Sequence, residues 1–139
     1  MNNAVQIDSL IANEFEFHIG DNSVGGIFGV QNLVTYATDE DGKRVKPPFS
    51  VSKMVQRDGN NAFNTWLRET MDARDSDDKP RRDVTVVAVD DGVVTRRWTA
   101  KNAWIAHVSY SDFDTGSFEM IAETITIAYD DMEESWPAT

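Results

Sequence analysis

RRWTAKNAWIAHVSYSDFD, residues 96–114, is the stretch on which the reading of this chain turns. It is rich in aromatic, β-branched and small residues, the set that fits a pleated surface. Residues 93–100 read as one strand and 103–110 as another, with Lys101–Asn102 as a turn or a bulge between them. In the second strand Trp104, Ala106, Val108 and Tyr110 share a face. Upstream, VTVVAV (84–89) is almost continuously apolar, as in a strand covered on both faces. Asp90–Asp91–Gly92 then supplies the positive φ that a tight hairpin needs. Downstream, SDFDTGS (111–117) is a loop and 118–129 a last long strand. One face of that strand is Ala122, Thr124, Thr126 and Ala128; the other is Ile121, Glu123, Ile125, Ile127 and Tyr129.

The same period holds toward the N-terminus. EFEFHI (14–19) sets Phe15, Phe17 and Ile19 against Glu14, Glu16 and His18, a half-buried strand. GDNSVGG is a turn, and 27–38 reads as a second, longer strand. DEDGKRVKPP (39–48) is a loop or extended arm, because its prolines cannot donate to a ladder. FSVSKMVQR (49–57) is a strand in which Lys53 and Arg57 share parity with Val51 and Val55, so its faces are not simply core and water. The period then lengthens. Phe63, Trp66, Leu67, Thr70 and Met71 form one stripe of an amphipathic helix, with Asn60 or Asn61 as N-cap. DSDDKPRRD (75–83) is a charged linker. These elements predict a mainly β fold: an antiparallel β-sandwich or partly closed barrel of about seven strands with one packed α-helix.

With 139 residues the chain reads as a single domain, 1–139, with 1–13 as an N-terminal arm and 131–139 as a C-terminal tail. It has no cysteine, hence neither disulfides nor thiolate metal sites. A net charge of −11 argues against binding a phosphate backbone, which needs clustered Lys and Arg. No apolar run reaches the ~20 residues of a membrane span, and the N-terminus lacks the basic and apolar regions of a signal peptide. No stable membrane insertion is expected.

Chemistry-bearing groups are sparse. Glu14, Glu16 and His18 could do acid–base work or hold a metal, but read more simply as a solvated strand face. His107 reads as a structural histidine. Counting a calcium loop from Asp112 puts Asp114 and Glu123 at ligand positions, yet Ser117 stands where the loop requires glycine. No carboxylate pair stands out as a hydrolase site. No catalytic residue, metal or cofactor is expected.

Several fragments occur together in order: FEFHIGDNSVGGIFGVQNL, the acidic DEDGKR loop, VKPPF, VSKMVQRDG and FNTWL with Trp66. Arg97–Trp98, Asn102–Ala103–Trp104 and Asp112–Phe113–Asp114 follow, and then MIAETITIAYDDM around Glu123. Across roughly 15–132 this order resembles the tail-tube proteins of contractile bacteriophages and of phage-tail-like injection particles. Ser111 and Ile105 stand where proline is common in that family.

The resemblance implies a structural role and no enzyme activity. Six-membered rings of this ring-forming tube fold would stack into a hollow conduit, with strands of all subunits joined in one barrel. Partners would be other copies, a contractile sheath, and baseplate and tail-terminator proteins. DNA or protein cargo would pass without specific binding. The location would be a virion tail or injection particle, assembled in the bacterial cytoplasm. Trp66, Arg97, Trp98, Asn102, Trp104, Asp112, Asp114 and Glu123 become packing or assembly residues. The loop Asp39, Glu40, Asp41, Gly42, Lys43, Arg44, Pro47 and Pro48, anchored at Phe49, would reach an adjacent subunit or ring. The alternative is a tube initiator, a terminator or a type VI secretion ring protein of the same fold. The acidity suggests carboxylates on the channel wall that would repel DNA phosphates, and the small Ala/Thr face of 122–128 suits close packing or a smooth wall.

Overall fold

A computed structural model of the chain describes residues 14–75 and 77–137. The proposed arm, 1–13, lies outside the described residues. Among the described residues, ten strands and one helix follow in the order β1 (Phe15–Ile19), β2 (Asn22–Ser23), β3 (Ile27–Gln31), β4 (Ala37–Thr38), β5 (Arg44–Val45), β6 (Phe49–Met54), α1 (Ala62–Ala73), β7 (Arg82–Asp90), β8 (Val93–Tyr110), β9 (Ala122–Ala128) and β10 (Asp131–Ser135). Eight strands form one antiparallel sheet in the order β2-β1-β7-β8-β9-β6-β3, with β10 also paired to β8; β4 and β5 make a separate hairpin. The sheet does not close into a barrel.

The 18-residue β8 belongs to two wings. Its first part pairs with β7 and β10, its last part with β9. Buried residues of both wings pack in one cluster, Phe17, Val84 and Ala100 against Val51, Ile125 and Ile127. The sheet therefore folds over itself as a sandwich.

The expected break at Lys101–Asn102 is a bulge inside a single strand, not a turn. Asn102 takes φ 55°, and the β7 register shifts beside it. One extra residue reverses which parity points inward. Ala100 is buried before the bulge, Ala103 and Ile105 after it. A second shift between Ile105 and His107 restores the first parity, so Trp104 and Val108 do not share a face as alternation alone predicts. The Asp90–Gly92 hairpin forms as expected, with Asp91 and Gly92 at φ 49° and 79°.

Three further expectations change. The strand expected over 27–38 ends at Gln31, where Asn32 takes φ 63°. The last strand starts at Ala122, not Phe118. Residues 131–135, read as part of a C-terminal tail, pair with Arg97–Lys101 as β10, and Met132 is buried. Long-range pairing captured that short segment, which its own sequence pattern does not announce.

Helix α1 closes an open side of the sandwich. Asn61 caps it, its side chain accepting from Asn64 N–H at 2.8 Å. Phe63, Trp66 and Leu67 are its buried residues; Phe63 stacks on Phe17 at 5.7 Å, and Trp66 Nε1 donates to the Pro80 carbonyl at 3.0 Å. Burial of side chains such as Phe63 and Leu67 stabilises by about 1.5–3 kcal/mol each.

Lys53 explains the mixed polarity of its strand. It does not face water: Lys53 is fully buried, Glu123 nearly so, and they are direct cross-strand partners. Lys53 Nζ donates to Glu123 Oε1 at 2.8 Å and to the Met54 carbonyl at 3.1 Å, and lies 5.6 Å from the Phe63 ring centroid. Removing one partner strands the other charge in the core. Lys53→Met or Glu123→Leu alone should cost about 3–5 kcal/mol, while the double variant should recover most of that loss. Urea unfolding of the three variants checks this; additive losses would contradict a closed pair.

Candidate assembly interface

The second wing, ordered β3-β6-β9-β8, has two unpartnered edges among the described residues. One is the outer side of β3; the other is 104–110 of β8, because β7 pairs no further along β8 than Ala103. Unpaired edges are templates for adding another strand.

The outward face of this wing is small and uncharged. Ser50, Ser52, Thr124, Thr126 and Ser109 share it, with Trp104 and His107 near the free edge, as their cross-strand pairings require. The Ser50 and Thr126 hydroxyls lie 3.5 Å apart. No carboxylate stands among these residues, so the acidic wall expected from net charge is not found on this face. The only carboxylate of β9, Glu123, points inward to Lys53.

Two projections stand at opposite ends of the wing. At one end, 37–45 is not an irregular arm but a hairpin. Its turn is held by Asp39, whose carboxylate accepts from the N–H groups of Asp41 and Lys43 at 2.9 Å, with Gly42 at φ 78°. Glu40 at the tip is exposed, as are Lys43 and Arg44. At its base Arg44 pairs with Asp131 at 3.1 Å, and Tyr129 OH donates to the Pro47 carbonyl at 2.7 Å. Pro48 leads into buried Phe49, which packs on Tyr129 at 6.0 Å. At the other end is the loop 111–121. Asp114 caps a turn there, accepting from Gly116 N–H at 2.9 Å, and Asp112 is exposed.

The other motif residues serve separate contacts. Trp66 is core. Trp98 is half-buried against the core cluster. Arg97 is exposed on the opposite face of β8, near Glu16 and His18. His18 and Glu16 bond to each other at 2.9 Å. Trp104 is half-buried under the Arg81 guanidinium, 4.3 Å from its ring centroid. Asn102 ties the bulge down: its N–H donates to Asp83 at 2.9 Å, its side chain donates to Asp130, and its carbonyl accepts from Arg81 at 3.1 Å. These residues do not converge on a catalytic pocket. Lys53 and Tyr110 were missed as partners of Glu123; the signal was a lone Lys and a lone Glu each interrupting an apolar strand face.

The family model described as T4-like virus tail tube protein gp19 matches residues 12–133. Among solved structures, the chain is similar to one in the cryo-EM structure of the anti-feeding prophage cap, a tube-terminating cap. Identity is 21%, covering 98% of this chain and 96% of that one, with a TM-score of 0.76. It is similar to a chain of the PVC sheath–tube complex of an extracellular contractile injection system in the extended state. There identity is 15%, coverage 93% of each chain, and TM-score 0.72. Hcp1 from Flavobacterium johnsoniae shares the fold at 12% identity, covering 88% and 95%, with a TM-score of 0.57. No curated protein sequence matches.

Two predictions concern this scaffold. Asn102→Val should destabilise more than Asn102→Gly, because a β-branched residue resists positive φ while glycine loses only the side-chain bond. The excess should be roughly 1–2 kcal/mol by denaturant unfolding. The second concerns pH. The phenols of Tyr110 and Tyr129 are pushed above their ordinary range, chiefly by burial; Glu123 reinforces this at Tyr110, while Arg44 partly opposes it at Tyr129. A raised folded-state pKa means the unfolded chain loses its phenolic protons first. The stability is complete below the ordinary tyrosine pKa of about 10 and is lost as pH rises through the raised values. Tyr110→Phe and Tyr129→Phe should flatten that alkaline loss, read as Tm against pH.

Proposed function

The chain belongs to the T4-like virus tail tube protein family, and on that basis we propose that it is a structural subunit of the inner tube of a contractile tail or injection particle. Copies would form six-membered rings that stack into a conduit. The observation that carries this reading is the four-stranded wing with two free edges. Its strands alternate in direction. An even number of alternating strands leaves the two edges running oppositely. A second copy in the same orientation therefore sets its β3 antiparallel beside 104–110 of the first. Such a head-to-tail contact repeats and can close into a ring, which also removes every exposed edge of the wing.

Six such wings give ~24 strands; at ~4.8 Å spacing and ~40° tilt the barrel would be ~48 Å across at the backbone. That admits a nucleic-acid duplex or a small folded domain of ~13 Å radius of gyration. The neutral face would line the channel, and the charged face of the first wing would meet the sheath. Cargo would pass without a binding site, and no reaction would be catalysed. Baseplate and terminator proteins would meet the two ends of the tube, in particles assembled in the bacterial cytoplasm. Likeness to the tube-terminating cap favours keeping one rival, a ring that ends or starts the tube.

Electron microscopy of the purified, concentrated protein tests both. The main-subunit reading expects six-fold rings stacked into long tubes. Isolated rings alone would favour the rival, and a chain that stays monomeric would contradict ring formation altogether.

A further inference from the structure

The sandwich is closed on one side by α1 and open on another. Between the inner face of the first wing and β3 lies a groove of about 320 Å³, lined by Phe15, Phe28, Val30, Leu33, Val86 and Trp98, with no residue of α1 on its wall. Val30, Leu33 and Trp98 pack on the buried core yet are themselves only partly buried, and Phe28 is 54% exposed. The core comes to the surface here, and contiguous apolar surface of this kind marks a contact site. Among the described residues Glu14 is the only charged group of the lining. The groove therefore suits an apolar occupant and offers little to a charged one.

The chain itself leads into this groove. Glu14 both lines it and is the first described residue. Its carbonyl accepts from Val89 N–H at 3.1 Å, which fixes the point from which the preceding residues depart. Those residues, MNNAVQIDSLIAN (1–13), hold Val5, Ile7, Leu10 and Ile11 and one charged side chain, Asp8. Residues 1–11 precede the span that matches the tail tube family. Leu10 and Ile11 stand within four residues of Glu14, a chain reach of at most ~14 Å. So short a tether holds them near the groove at an effective concentration on the order of millimolar. A partner free in solution at micromolar concentration competes poorly with that. Seating two aliphatic side chains against the groove removes apolar surface of both from water.

We propose that the groove between the first wing and β3 is a docking site for residues 1–13 of the same chain, with Leu10 and Ile11 seated against Phe28, Leu33 and Trp98. The inference does not depend on ring formation. The seated segment closes the second side of the sandwich, as α1 closes the first, and does so before any other copy arrives.

Because the chain has no native cysteine, one introduced thiol reports on the groove. Full-length Phe28→Cys and Val93→Cys proteins are labelled with a small neutral maleimide, once as monomers by light scattering and once under conditions of assembly. Each rate is divided by that of the same protein in urea. Val93 is 57% exposed and lies outside the lining, so it serves as the reference. In the monomer the Phe28→Cys thiol should react at least tenfold more slowly than the Val93→Cys thiol. Adding Leu10→Ser and Ile11→Ser to the full-length chain should abolish that difference with an unchanged circular dichroism spectrum. Equal rates at the two positions in the monomer would overturn the proposal. So would protection that appears only on assembly, which assigns the groove to a neighbouring copy. Protection that survives both serine substitutions would do the same, since another part of the chain would then fill it.

Discussion

Everything in this molecule is referred to one strand that serves two masters. β8 is paired along its first part with β7 and β10 and along its last part with β9. A strand that simply alternated would turn Ala103 and Ile105 away from the core that Ala100 enters. The left-handed residue at 102 inserts the one-residue shift that keeps all three buried. Asparagine is among the few non-glycine residues that accept that conformation. Here its side chain also gains Asp130 as an acceptor, which glycine could not provide. The sandwich thus turns its corner without breaking a strand.

The second wing carries its own constraint. Lys53, Glu123 and Tyr110 sit in register on three adjacent strands. A buried ion pair is seldom a large net source of stability, because desolvation offsets attraction. Its geometric demand is strong, however. A one-residue slip of β6 against β9 would turn every apolar side chain outward and leave a bare charge in the core. The pair penalises every alternative register of the sheet that is proposed to line the conduit.

Much of this was legible in the sequence, and the reasons for the rest are physical. The alternation of 14–19, the Phe63, Trp66 and Leu67 part of the helix stripe and the Asp-Asp-Gly hairpin are local signals that formed where they were read; Met71 at the end of the stripe is exposed instead, and of the two candidate caps it is Asn61 that holds the helix. Residues 101–102 were ambiguous because a bulge and a turn use the same left-handed asparagine; only the pairing of β7 and β10 across the site decides between them. β10 was unreadable because Asp-Met-Glu-Glu-Ser has little strand preference and is recruited by an available edge. Lys53 and Glu123 were each visible as intruders on an apolar face, but their union spans 70 residues. Family fragments such as Arg97–Trp98 and Asn102–Ala103–Trp104 were visible as well, although structurally they divide among a solvent face, a core groove, a bulge and a cation-stacked indole.

The distribution of charge has a final consequence. Almost none of the chain's ionisable groups stand on the Ser/Thr face of the second wing, while the hairpin, the 111–121 loop and the first wing carry them in numbers. If that face is the bore, the tube separates two sensitivities that most charged channels confound. Ionic strength would govern whether rings cohere and how they meet their neighbours. It would leave the friction felt by cargo nearly unchanged, so that the same bore would be indifferent to whether its passenger is polyanionic, basic or neutral.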